Sequence, residues 1–548
     1  MNFLKNIKSK LVIRSDLLIL ISSIYFGIFL NLTFWREIIS KIEINNFGMI
    51  LFAISLPILI CSFFYLVFNL VLTKYLAKPI LILFLLISSA ANYAMFNLGI
   101  VIDSDMIRNI FETNTREAGD LVTWVGILWV FIGGIIPSVI LVFTKIEYRS
   151  LKQEFVRRLI FVLINIIVLA FFAATTFKQY ASFGRNNRRL RKILNTVNYT
   201  YSTFRYYQKQ ILARRPFMKL DLNAKLIPYK DDDKTVLVLV IGEAARAENF
   251  SLNGYGRDTN PMLEKQDIAY FKNATSCGTC TAVSVPCMFS HQGRDEFDVN
   301  SEKYQENLVD ILQRVGYDVL WKENDDGCKG VCNRISFEDM VKTNNPKYCF
   351  GDYCEDDVFL DDLRNMMKNI KKDTVIILHT MGSHGPTYFN RYPKEFRKFT
   401  PTCDTSDIQS CQRENIINTY DNTILYTDYI ISSMIDILKE FPQYESGLIY
   451  LSDHGESLGE NNIYLHGLPY KFAPKEQTEI PMLIWMSKNM KKNDYIDFNC
   501  LKDEAKNGGF SQDNLFHSVI SLLEINSNLY NQNLDIFKKC RLKELPKD

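Results

Sequence analysis

The chain divides by hydropathy into a strongly apolar first third and a mixed remainder. Five apolar runs occupy the first third, at residues 17–34, 47–72, 79–102, 121–144 and 159–177. Each run is long enough to cross a hydrocarbon core of about 30 Å as a helix, and no comparable run follows Lys178. The pattern predicts a transmembrane domain over residues 1–177 with five helices.

The remainder contains three short apolar runs in which polar and apolar positions do not alternate. These runs lie at residues 235–243, 374–385 and 447–457. Such runs are typical of strands buried on both faces of a parallel sheet, and helix-like segments such as 303–315 and 412–440 lie between them. We therefore expect residues 231–548 to form an α/β domain with a central, mostly parallel sheet. An interfacial helix and connector are expected at 178–230.

Basic residues in the short loops predict the orientation. The N-terminal tail and the second and fourth loops are basic, whereas the first loop is neutral and the third is acidic. Because cytoplasmic loops carry the excess of lysine and arginine, the N-terminus is predicted to lie inside. With five spans, the C-terminal two-thirds of the chain is then predicted to lie on the outer side of the membrane. The first run follows a basic start but lacks a small-x-small cleavage site, so we interpret it as an uncleaved anchor.

One basic segment disagrees with this orientation. The stretch "GRNNRRLRK", residues 184–192, follows the fifth span and falls outside. Large exported domains cross largely regardless of such charge, and a surface helix resting on anionic lipid headgroups would explain it.

Cysteine usage supports export. Eleven of the twelve cysteines lie in the exported part, and disulfides persist in oxidising compartments. Three pairs bracket short loops and a fourth lies within one segment, which predicts the bridges Cys328–Cys332, Cys349–Cys354, Cys403–Cys411 and Cys277–Cys287. Cys500 and Cys540 could form a fifth bridge. Cys280 would then take part in none of the five bridges.

Residues able to bind a metal ion stand at or near the ends of the three short apolar runs. Glu243 ends the first, where a carboxylate is either a charge favoured by a helix dipole or a ligand. Asp453 and His454 lie near the end of the third, where such a pair is either a hydrogen-bonded turn or two ligands of one ion. Zinc accepts both ligand types in a tetrahedral site. Because all three runs end in ligand-type residues, we favour a zinc site.

The segment "TSCGTCTAVSVPCMFS", residues 275–290, offers three candidate chemistries. A Cys-x-x-Cys pair could bind structural zinc, although such a site needs two more well-spaced ligands. Cys280 could be a nucleophile. We favour Thr281, because it would begin a helix whose N-terminus favours an alkoxide and a bound phosphate. Metal coordination would lower the pKa of its hydroxyl, and a Cys277–Cys287 bridge would hold the turn.

The six histidines differ in context. His384 in "GSHGPT" and His466 in "YLHGLPY" lie in loops rich in glycine and proline. Both are candidates for ligands of a second metal ion, or for donors and acids at phosphate oxygens. His379 lies inside an apolar strand and is interpreted as a core residue, while His291 and His517 receive no role.

Six motifs, in order along the chain, resemble one enzyme family. They are "GEAARAENFSLNGYGRDTNP", "SCGTCTAVSVPCMFS", "GCKGVC", "MGSHGPTY", "LSDHGESLGE" and "YLHGLPYKFAP". Together they resemble the phosphoethanolamine transferases of Gram-negative bacteria, which modify lipid A and include the mobile colistin-resistance enzymes. The resemblance covers essentially the whole chain. It implies five spans followed by a periplasmic domain of the alkaline phosphatase/sulfatase type.

The resemblance implies a metal centre. Glu243, Thr281, Asp453 and His454 match the zinc ligands of the family, and Thr281 also matches the nucleophile. One zinc ion is expected, with a second as the alternative. Cys280 departs from the serine or alanine expected at its position, which leaves a thiol beside the nucleophile that could mispair.

The resemblance also implies substrate-binding positions. His384 and His466 match histidines near the substrate phosphate, which sometimes hold extra zinc, and Lys329 matches a donor-binding lysine. The third loop supplies three more positions, whose spacing of four places them on one face of a helix: Asn109, Thr113 and Glu117. This face is either solvated at the interface or, as the family implies, a site for the ethanolamine headgroup with Glu117 facing its ammonium.

The implied reaction is zinc-dependent transfer of phosphoethanolamine from phosphatidylethanolamine to a phosphate of lipid A or a related envelope glycolipid. It would pass through a phosphothreonine. The added ethanolammonium would offset acceptor charge, so polymyxin and other cationic peptides would bind less well. A phosphoglycerol transferase or sulfatase of the same fold is an alternative, and a membrane receptor with a structural zinc is another.

The expected setting is the bacterial inner membrane, with several spans and the catalytic domain in the periplasm. Membrane lipids, the donor lipid and the glycolipid acceptor are the expected partners. The formal net charge is +2. We expect no nucleic-acid partner and a monomer.

Overall fold

The computed structural model divides the chain into two compact units. Unit 1 comprises Met1–Ser104 and Thr123–Phe204, and unit 2 comprises Asp105–Val122 and Arg205–Asp548. The structure describes residues 11–42, 44, 47–113, 118–119, 121–212, 216–227, 233–351 and 353–542. Most of the third predicted loop therefore belongs to the same unit as the predicted catalytic domain.

Helices dominate the first 212 residues. In chain order the described helices are α1 (Ser15–Gly27), α2 (Leu32–Lys41), α3 (Phe47–Val71), α4 (Ala77–Tyr93), α5 (Ser104–Glu112), α6 (Trp124–Val130), α7 (Ile136–Phe143), α8 (Leu151–Asn186) and α9 (Asn195–Leu212). Among the described residues, five segments are long and apolar enough to cross a membrane: Ser15–Lys41, Phe47–Val71, Ala77–Leu98, Trp124–Phe143 and Leu151–Thr176. The five predicted spans are therefore confirmed.

The first span differs from the continuous helix that its apolar run predicts. α1 ends at Gly27, and a 3-10 turn at Phe29–Asn31 precedes α2. The buried amide of Asn31 donates to the carbonyl of Phe26 (2.6 Å), and its oxygen accepts from the N–H of Asn195 (2.8 Å). Since buried polar groups need such partners, these hydrogen bonds hold Asn31 in place at the break.

α8 extends beyond its apolar run at both ends. At its start, Glu154 accepts from the hydroxyl of Ser15 (2.8 Å) and pairs with Arg157 (2.8 Å). Arg157 also pairs with Asp16 at 3.1 Å. These bonds tie the charged start of α8 to the start of α1. At the other end the basic segment finishes α8 and forms a 3-10 turn at Arg188–Lys192, and its contact with lipid stays a prediction.

The second unit contains a central eight-stranded sheet. Its strands are β1 (Lys234–Gly242), β2 (Ile268–Thr275), β3 (Asp318–Glu323), β4 (Ser336–Asp339), β5 (Thr374–His379), β6 (Tyr444–Ser452), β7 (Glu479–Met486) and β8 (Phe510–Ser511). Their order is β8-β2-β7-β6-β1-β5-β3-β4, and only β7 runs antiparallel to its neighbours. The predicted mostly parallel sheet is confirmed.

Short two- and three-residue strands pair outside this sheet. The pairs are Val12–Arg14 with Lys145–Glu147, Lys225–Leu226 with Ile525–Asn526, Cys349–Phe350 with Tyr353–Cys354, and Ser457–Leu458 with Tyr464–Leu465. The first pair belongs to unit 1 and the other three to unit 2.

Helices alternate with the strands of the central sheet. In chain order they are α10 (Thr281–Met288), α11 (Leu308–Val315), α12 (Val358–Met367), α13 (Arg413–Lys439), α14 (Lys475–Thr478), α15 (Lys488–Asn493), α16 (Phe498–Asn507) and α17 (Asp513–Leu522). The predicted helix at 303–315 is wrong in its first residues, because α11 begins only at Leu308. Asn307 caps it by accepting from the N–H of Val309, while Asp310 accepts from the N–H of Asn307.

The topology brings the ends of three parallel strands together. β1 pairs with β5 through Ile241 and His379, and with β6 through Gly242 and Ser452. All three strands are buried on both faces, as their unalternated sequences predict. Functional groups of such sheets gather beyond the carboxyl ends of the strands, which is where the predicted metal ligands follow β1 and β6.

Five disulfide bridges lie among the described residues. They are Cys277–Cys287, Cys328–Cys332, Cys349–Cys354, Cys403–Cys411 and Cys500–Cys540. The first joins the turn before α10 to the last turn of that helix, and the last joins α16 to the C-terminal segment.

An acidic cavity of about 300 Å³ lies where β1 and β6 begin. Its walls include Asp373, Glu445, Asp494 and Glu524. Asp494 is 7% exposed. Burial raises the pKa of Asp494 to about 8, with Glu445 and Glu524 adding to the shift and Arg541 opposing it. Asp494 is therefore a destabilising group in its charged form.

Replacing Asp494 by asparagine should raise the melting temperature more at pH 8 than at pH 5. The folded carboxyl keeps its proton up to about pH 8, whereas the unfolded chain releases it near pH 4. Stability therefore falls as the pH rises between these values, and asparagine removes that loss. Thermal unfolding of the detergent-solubilised protein measures the melting temperature at each pH. Asp503→Asn, on the exposed face of α16, is the control. An equal gain at both pH values would contradict the prediction.

Candidate functional site

The four predicted metal ligands meet where β1 and β6 end. Thr281, the first residue of α10, donates its hydroxyl to Glu243 Oε2 (3.2 Å) and lies 3.4 Å from His454 Nε2. His454 Nε2 in turn lies 3.4 Å from Glu243 Oε1 and 3.2 Å from Asp453 Oδ2. The structure therefore brings two carboxylates, one hydroxyl and one imidazole around a common point.

This donor set fits a divalent metal ion. Ligand atoms about 2.0–2.1 Å from a tetrahedral ion lie about 3.3 Å from one another, and the four distances here are 3.2, 3.4, 3.4 and 3.2 Å. Asp453 Oδ2 is buried and has no hydrogen-bond partner among the described residues. Burying such a charged oxygen is costly unless a cation or donor satisfies it. The fold and the donors therefore suit a metal cofactor.

Burial and neighbouring charges shift the pKa values of His454 and Asp453. Burial lowers the pKa of His454, and the charge of Asp453 opposes that shift. Its Nδ1 lies 2.9 Å from the carbonyl of Gly455, which leaves the lone pair on Nε2. Burial alone would raise the pKa of Asp453, but His454, the adjacent Glu243 carboxyl and the charge of His379 hold it below its usual value.

Backbone hydrogen bonds through Asp453 join the two strand ends. Its N–H donates to the carbonyl of Gly242 (2.8 Å), and its Oδ1 accepts from the N–H groups of Ala244 (3.1 Å) and His454 (2.7 Å). Ala244 has φ +53°, a conformation uncommon outside glycine. The turn after β1 is thus held in one uncommon conformation that orients Glu243 toward Asp453.

His466 and His384 extend the site away from His454. The ring centroid of His466 lies 4.2 Å from that of His454 and 6.0 Å from that of His384. Glu456 Oε2 lies 2.9 Å from His466 Nδ1, and the hydroxyl of Tyr388 donates to Glu456 Oε1 (2.6 Å). A carboxylate on Nδ1 fixes the tautomer and raises the basicity of Nε2. Glu456 was not predicted as a functional residue, although it stands two residues after His454.

A second group of ligand-type residues shares Glu243. Ligand atoms of Glu243, Asp325 and His379 all lie within 4.8 Å of one another. His379 is fully buried, as a core residue should be. However, its Nδ1 binds Glu323 (2.9 Å) and its Nε2 lies 4.0 Å from Asp325. Burial alone would lower the pKa of His379, but Glu323 and Asp325 raise it to about 9.

Glu323 and Asp325 were not predicted from the sequence, because β3 is not a continuous apolar run. The strand "DVLWKE" includes charged residues at both ends, and Lys322 pairs with Glu338 and Asp362. The sequence feature that could have indicated Glu323 and Asp325 is the acidic stretch "ENDD". It comes at the end of the apolar segment of β3, as acidic residues do at the ends of β1 and β6.

Lys329 occupies a constrained position in the loop closed by Cys328–Cys332. Its φ is +48° and its side chain is 4% exposed. Its ammonium donates to the carbonyl of Asp326 (2.8 Å) and pairs with the Asp326 carboxylate (2.6 Å). The predicted donor-binding lysine is therefore bound to Asp326, the residue that follows Asp325 of the second group in the sequence.

Two of the three predicted headgroup residues lie on or beside α5. Asn109 is in the helix, and Thr113, which follows its last residue, donates its hydroxyl to the carbonyl of Asn109 (2.6 Å). Glu117 lies outside the described residues. A Cβ added to Gly467 would meet the side chain of Met106, so α5 lies against the loop that carries His466.

Cys277 and Cys280 lie in the segment 276–281, here called the nucleophile turn after the predicted role of Thr281. Cys277 is bridged to Cys287, so it is not available for the thiolate zinc site considered from the sequence. Cys280 is buried and forms the N-cap of α10 with an extended backbone.

Two family models match the chain. The model described as phosphoethanolamine transferase EptA/EptB matches residues 60–211, and the sulfatase model matches residues 235–525. The chain is 41% identical to phosphoethanolamine transferase EptA of Escherichia coli K12, over 95% of this chain and 96% of that protein. It is 37% identical to phosphatidylethanolamine transferase Mcr-1 of E. coli, over 84% of this chain and 87% of that protein.

A solved structure matches nearly the whole chain. It is the integral membrane protein lipooligosaccharide phosphoethanolamine transferase A (EptA) from Neisseria meningitidis. The TM-score is 0.94 at 37% identity, and the match covers 97% of this chain and 99% of that chain.

The purified protein should contain a bound metal ion that His454→Ala removes. His454 Nε2 contacts three of the other donors, so its loss should lower metal occupancy by at least about tenfold. Inductively coupled plasma mass spectrometry after gel filtration in metal-free buffer measures the occupancy. The matched control is His517→Ala, since His517 is also buried but accepts from the N–H of Asn531, away from the cluster. Equal occupancy in the two variants would refute a metal site at His454.

Proposed function

The chain belongs to the phosphoethanolamine transferase family represented by EptA, and on this premise we propose that a zinc centre at Thr281 transfers phosphoethanolamine from phosphatidylethanolamine to lipid A. The protein is a phosphoethanolamine transferase of the bacterial inner membrane with its catalytic domain in the periplasm. One observation carries the proposal: the Thr281 hydroxyl lies at the N-terminus of α10, within 3.4 Å of both Glu243 and His454.

Glu243, Thr281, Asp453 and His454 would hold the zinc ion. Zinc suits a four-coordinate set of oxygen and nitrogen donors. When bound, it would lower the pKa of the Thr281 hydroxyl and offset charge on the phosphoryl oxygens. The group formed by Glu243 with Asp325 and His379, or the neighbouring His466, offers a place for a second ion.

In the first half-reaction the Thr281 oxygen attacks the phosphorus of the donor. Glu243 Oε2 already accepts the hydrogen bond of this hydroxyl, so it is assigned as the first proton acceptor. The bond from Thr281 Oγ1 to phosphorus forms, and the bond from phosphorus to the diacylglycerol oxygen breaks. His466, held at Nδ1 by Glu456, is assigned to give a proton to that leaving oxygen.

In the second half-reaction a phosphate oxygen of the acceptor attacks the phosphothreonine. The bond from phosphorus to Thr281 Oγ1 breaks, and the threonine oxygen takes back a proton from Glu243. His466 is assigned to regain its proton from the attacking acceptor phosphate. The N-terminus of α10 favours the anionic phosphoryl group throughout. Lys329 is assigned to stabilise charge on its oxygens.

The ethanolamine headgroup is assigned to the segment around α5. Asn109, Thr113 and Glu117 would bind it, with Glu117 facing the ammonium. The packing of Met106 on Gly467 supports this assignment, because it places α5 beside the loop of His466.

The acceptor is proposed to be a phosphate of lipid A. The similar Neisseria protein is named for lipooligosaccharide and the similar Mcr-1 protein for phosphatidylethanolamine. The five spans would keep the catalytic domain at the membrane surface where both lipids lie. Each transferred group adds an ammonium beside an acceptor phosphate, so polymyxin should bind the modified surface less tightly.

Incubation with phosphatidylethanolamine and zinc, without acceptor, should add one phosphoethanolamine to the protein at Thr281. The adduct should accumulate because the second half-reaction lacks its nucleophile. Intact mass spectrometry and peptide mapping measure it, with diacylglycerol release recorded in the same samples.

Thr281→Ala should form no adduct, while Thr279→Val should still form it. Thr279 lies in the same turn, but its hydroxyl donates to the carbonyl of Leu468 instead of meeting the metal ligands. An adduct on another residue would reassign the nucleophile. Absence of both adduct and diacylglycerol in the wild type would refute the donor assignment and favour a phosphoglycerol or sulfate substrate.

Glu456→Gln should lower kcat by about 10- to 100-fold, as loss of a ligand-orienting carboxylate typically does. The amide cannot hold His466 in the same tautomer as strongly, so proton transfer to the leaving oxygen suffers. Tyr388→Phe is the matched control, since it removes only the second donor to the same carboxylate. Steady-state release of diacylglycerol measures both variants, and equal losses in the two would assign Glu456 to packing.

A further inference from the structure

Gln512 lies between the nucleophile turn and the strand that carries Asp453. It is fully buried and directly follows β8, which pairs with the end of β2. Its N–H donates to the carbonyl of Thr275 (3.0 Å). The backbone therefore fixes Gln512 just beyond the last residue of β2.

The side chain of Gln512 satisfies three backbone groups on two separate segments. Its Nε2 donates to the carbonyls of Ser452 (2.7 Å) and Asp453 (2.6 Å), at the end of β6. Its Oε1 accepts from the N–H of Cys277 (2.7 Å), in the turn that leads to Thr281. β7 lies between β2 and β6 in the sheet, so this amide joins strand ends that are not neighbours.

We propose that Gln512 is a positioning residue, whose amide sets the distance between Thr281 and the pair Asp453–His454. The inference rests on the proposed function, because those residues are the nucleophile and the metal ligands of the proposed centre. Phosphoryl transfer depends mainly on positioning and electrostatics, and a displacement of about 1 Å can cost about 100-fold in rate. The Cys277–Cys287 bridge stiffens the turn internally, whereas Gln512 fixes the turn relative to β6.

The chemistry of the amide explains why glutamine suits this position. An amide offers two N–H donors and a carbonyl acceptor, which matches the two carbonyls and one N–H that it meets. Methionine has a similar length but leaves all three backbone groups unsatisfied, at a cost for each buried group. Glutamate keeps the acceptor for Cys277 but places a carboxylate against the carbonyls of Ser452 and Asp453.

The test compares Gln512→Met and Gln512→Glu with a matched buried amide, Asn422→Leu. Asn422 is equally buried and also bonds three backbone groups, the N–H of Lys398 and the N–H and carbonyl of Phe399. It has no bond to the nucleophile turn or to the end of β6. The full-length protein is assayed for kcat and KM with phosphatidylethanolamine, for thermal unfolding, and for zinc affinity.

Both Gln512 variants should lose about 10- to 100-fold in kcat, with KM for the donor changed by less than about threefold. Their zinc affinity should fall by about tenfold. Asn422→Leu should lower the melting temperature to a similar extent but keep kcat and zinc affinity near those of the wild type.

The inference is overturned if folded Gln512→Met and Gln512→Glu keep kcat within about threefold of the wild type, or lose no more than Asn422→Leu. It is also overturned if neither Gln512 variant folds while Asn422→Leu does, because the residue is then required for folding instead. If the wild type itself transfers no phosphoethanolamine, the proposed function fails. The zinc affinities of the variants still decide the role of Gln512 in that case.

Discussion

The burial of two carboxylates side by side is the constraint on which the rest of this structure depends. Glu243 and Asp453 are completely inaccessible to solvent, and buried charges are costly unless cations and hydrogen-bond donors surround them. Three groups compensate the charge of these carboxylates. They are the N–H of Ala244, the ring of His454 and the metal ion that these residues suit. The parallel sheet brings the two residues together, and a network of backbone and amide bonds keeps the nucleophile turn beside them.

The proposed metal ligands Glu243 and Asp453 could be identified from the sequence because each follows a strand made of one continuous apolar run. β1 and β6 are continuous apolar runs, so Glu243 and Asp453 stand out as polar residues at their ends. Asp325 was not predictable in this way, because β3 is short and carries charged residues for ion pairs. Gln512 was also missed, since it comes from an irregular segment far along the chain. Its three partners are backbone groups, which leave no pattern in a sequence.

The two compact units contribute different parts of a membrane-bound phosphoethanolamine transferase. Five apolar segments suit the bilayer, while the sulfatase-type sheet supplies the chemistry. Residues 105–122 belong to the same compact unit as the catalytic domain, although in the sequence they lie between two of the apolar spans.

The Cys277–Cys287 bridge has a consequence for when and where the enzyme becomes active. The turn that presents Thr281 is closed by a bond that forms in an oxidising compartment. Chains still on the reducing side of the membrane lack this closure, although phosphatidylethanolamine surrounds them there. Under the proposed mechanism, the turn that carries Thr281 would therefore be completed only after translocation, when the bridge can form.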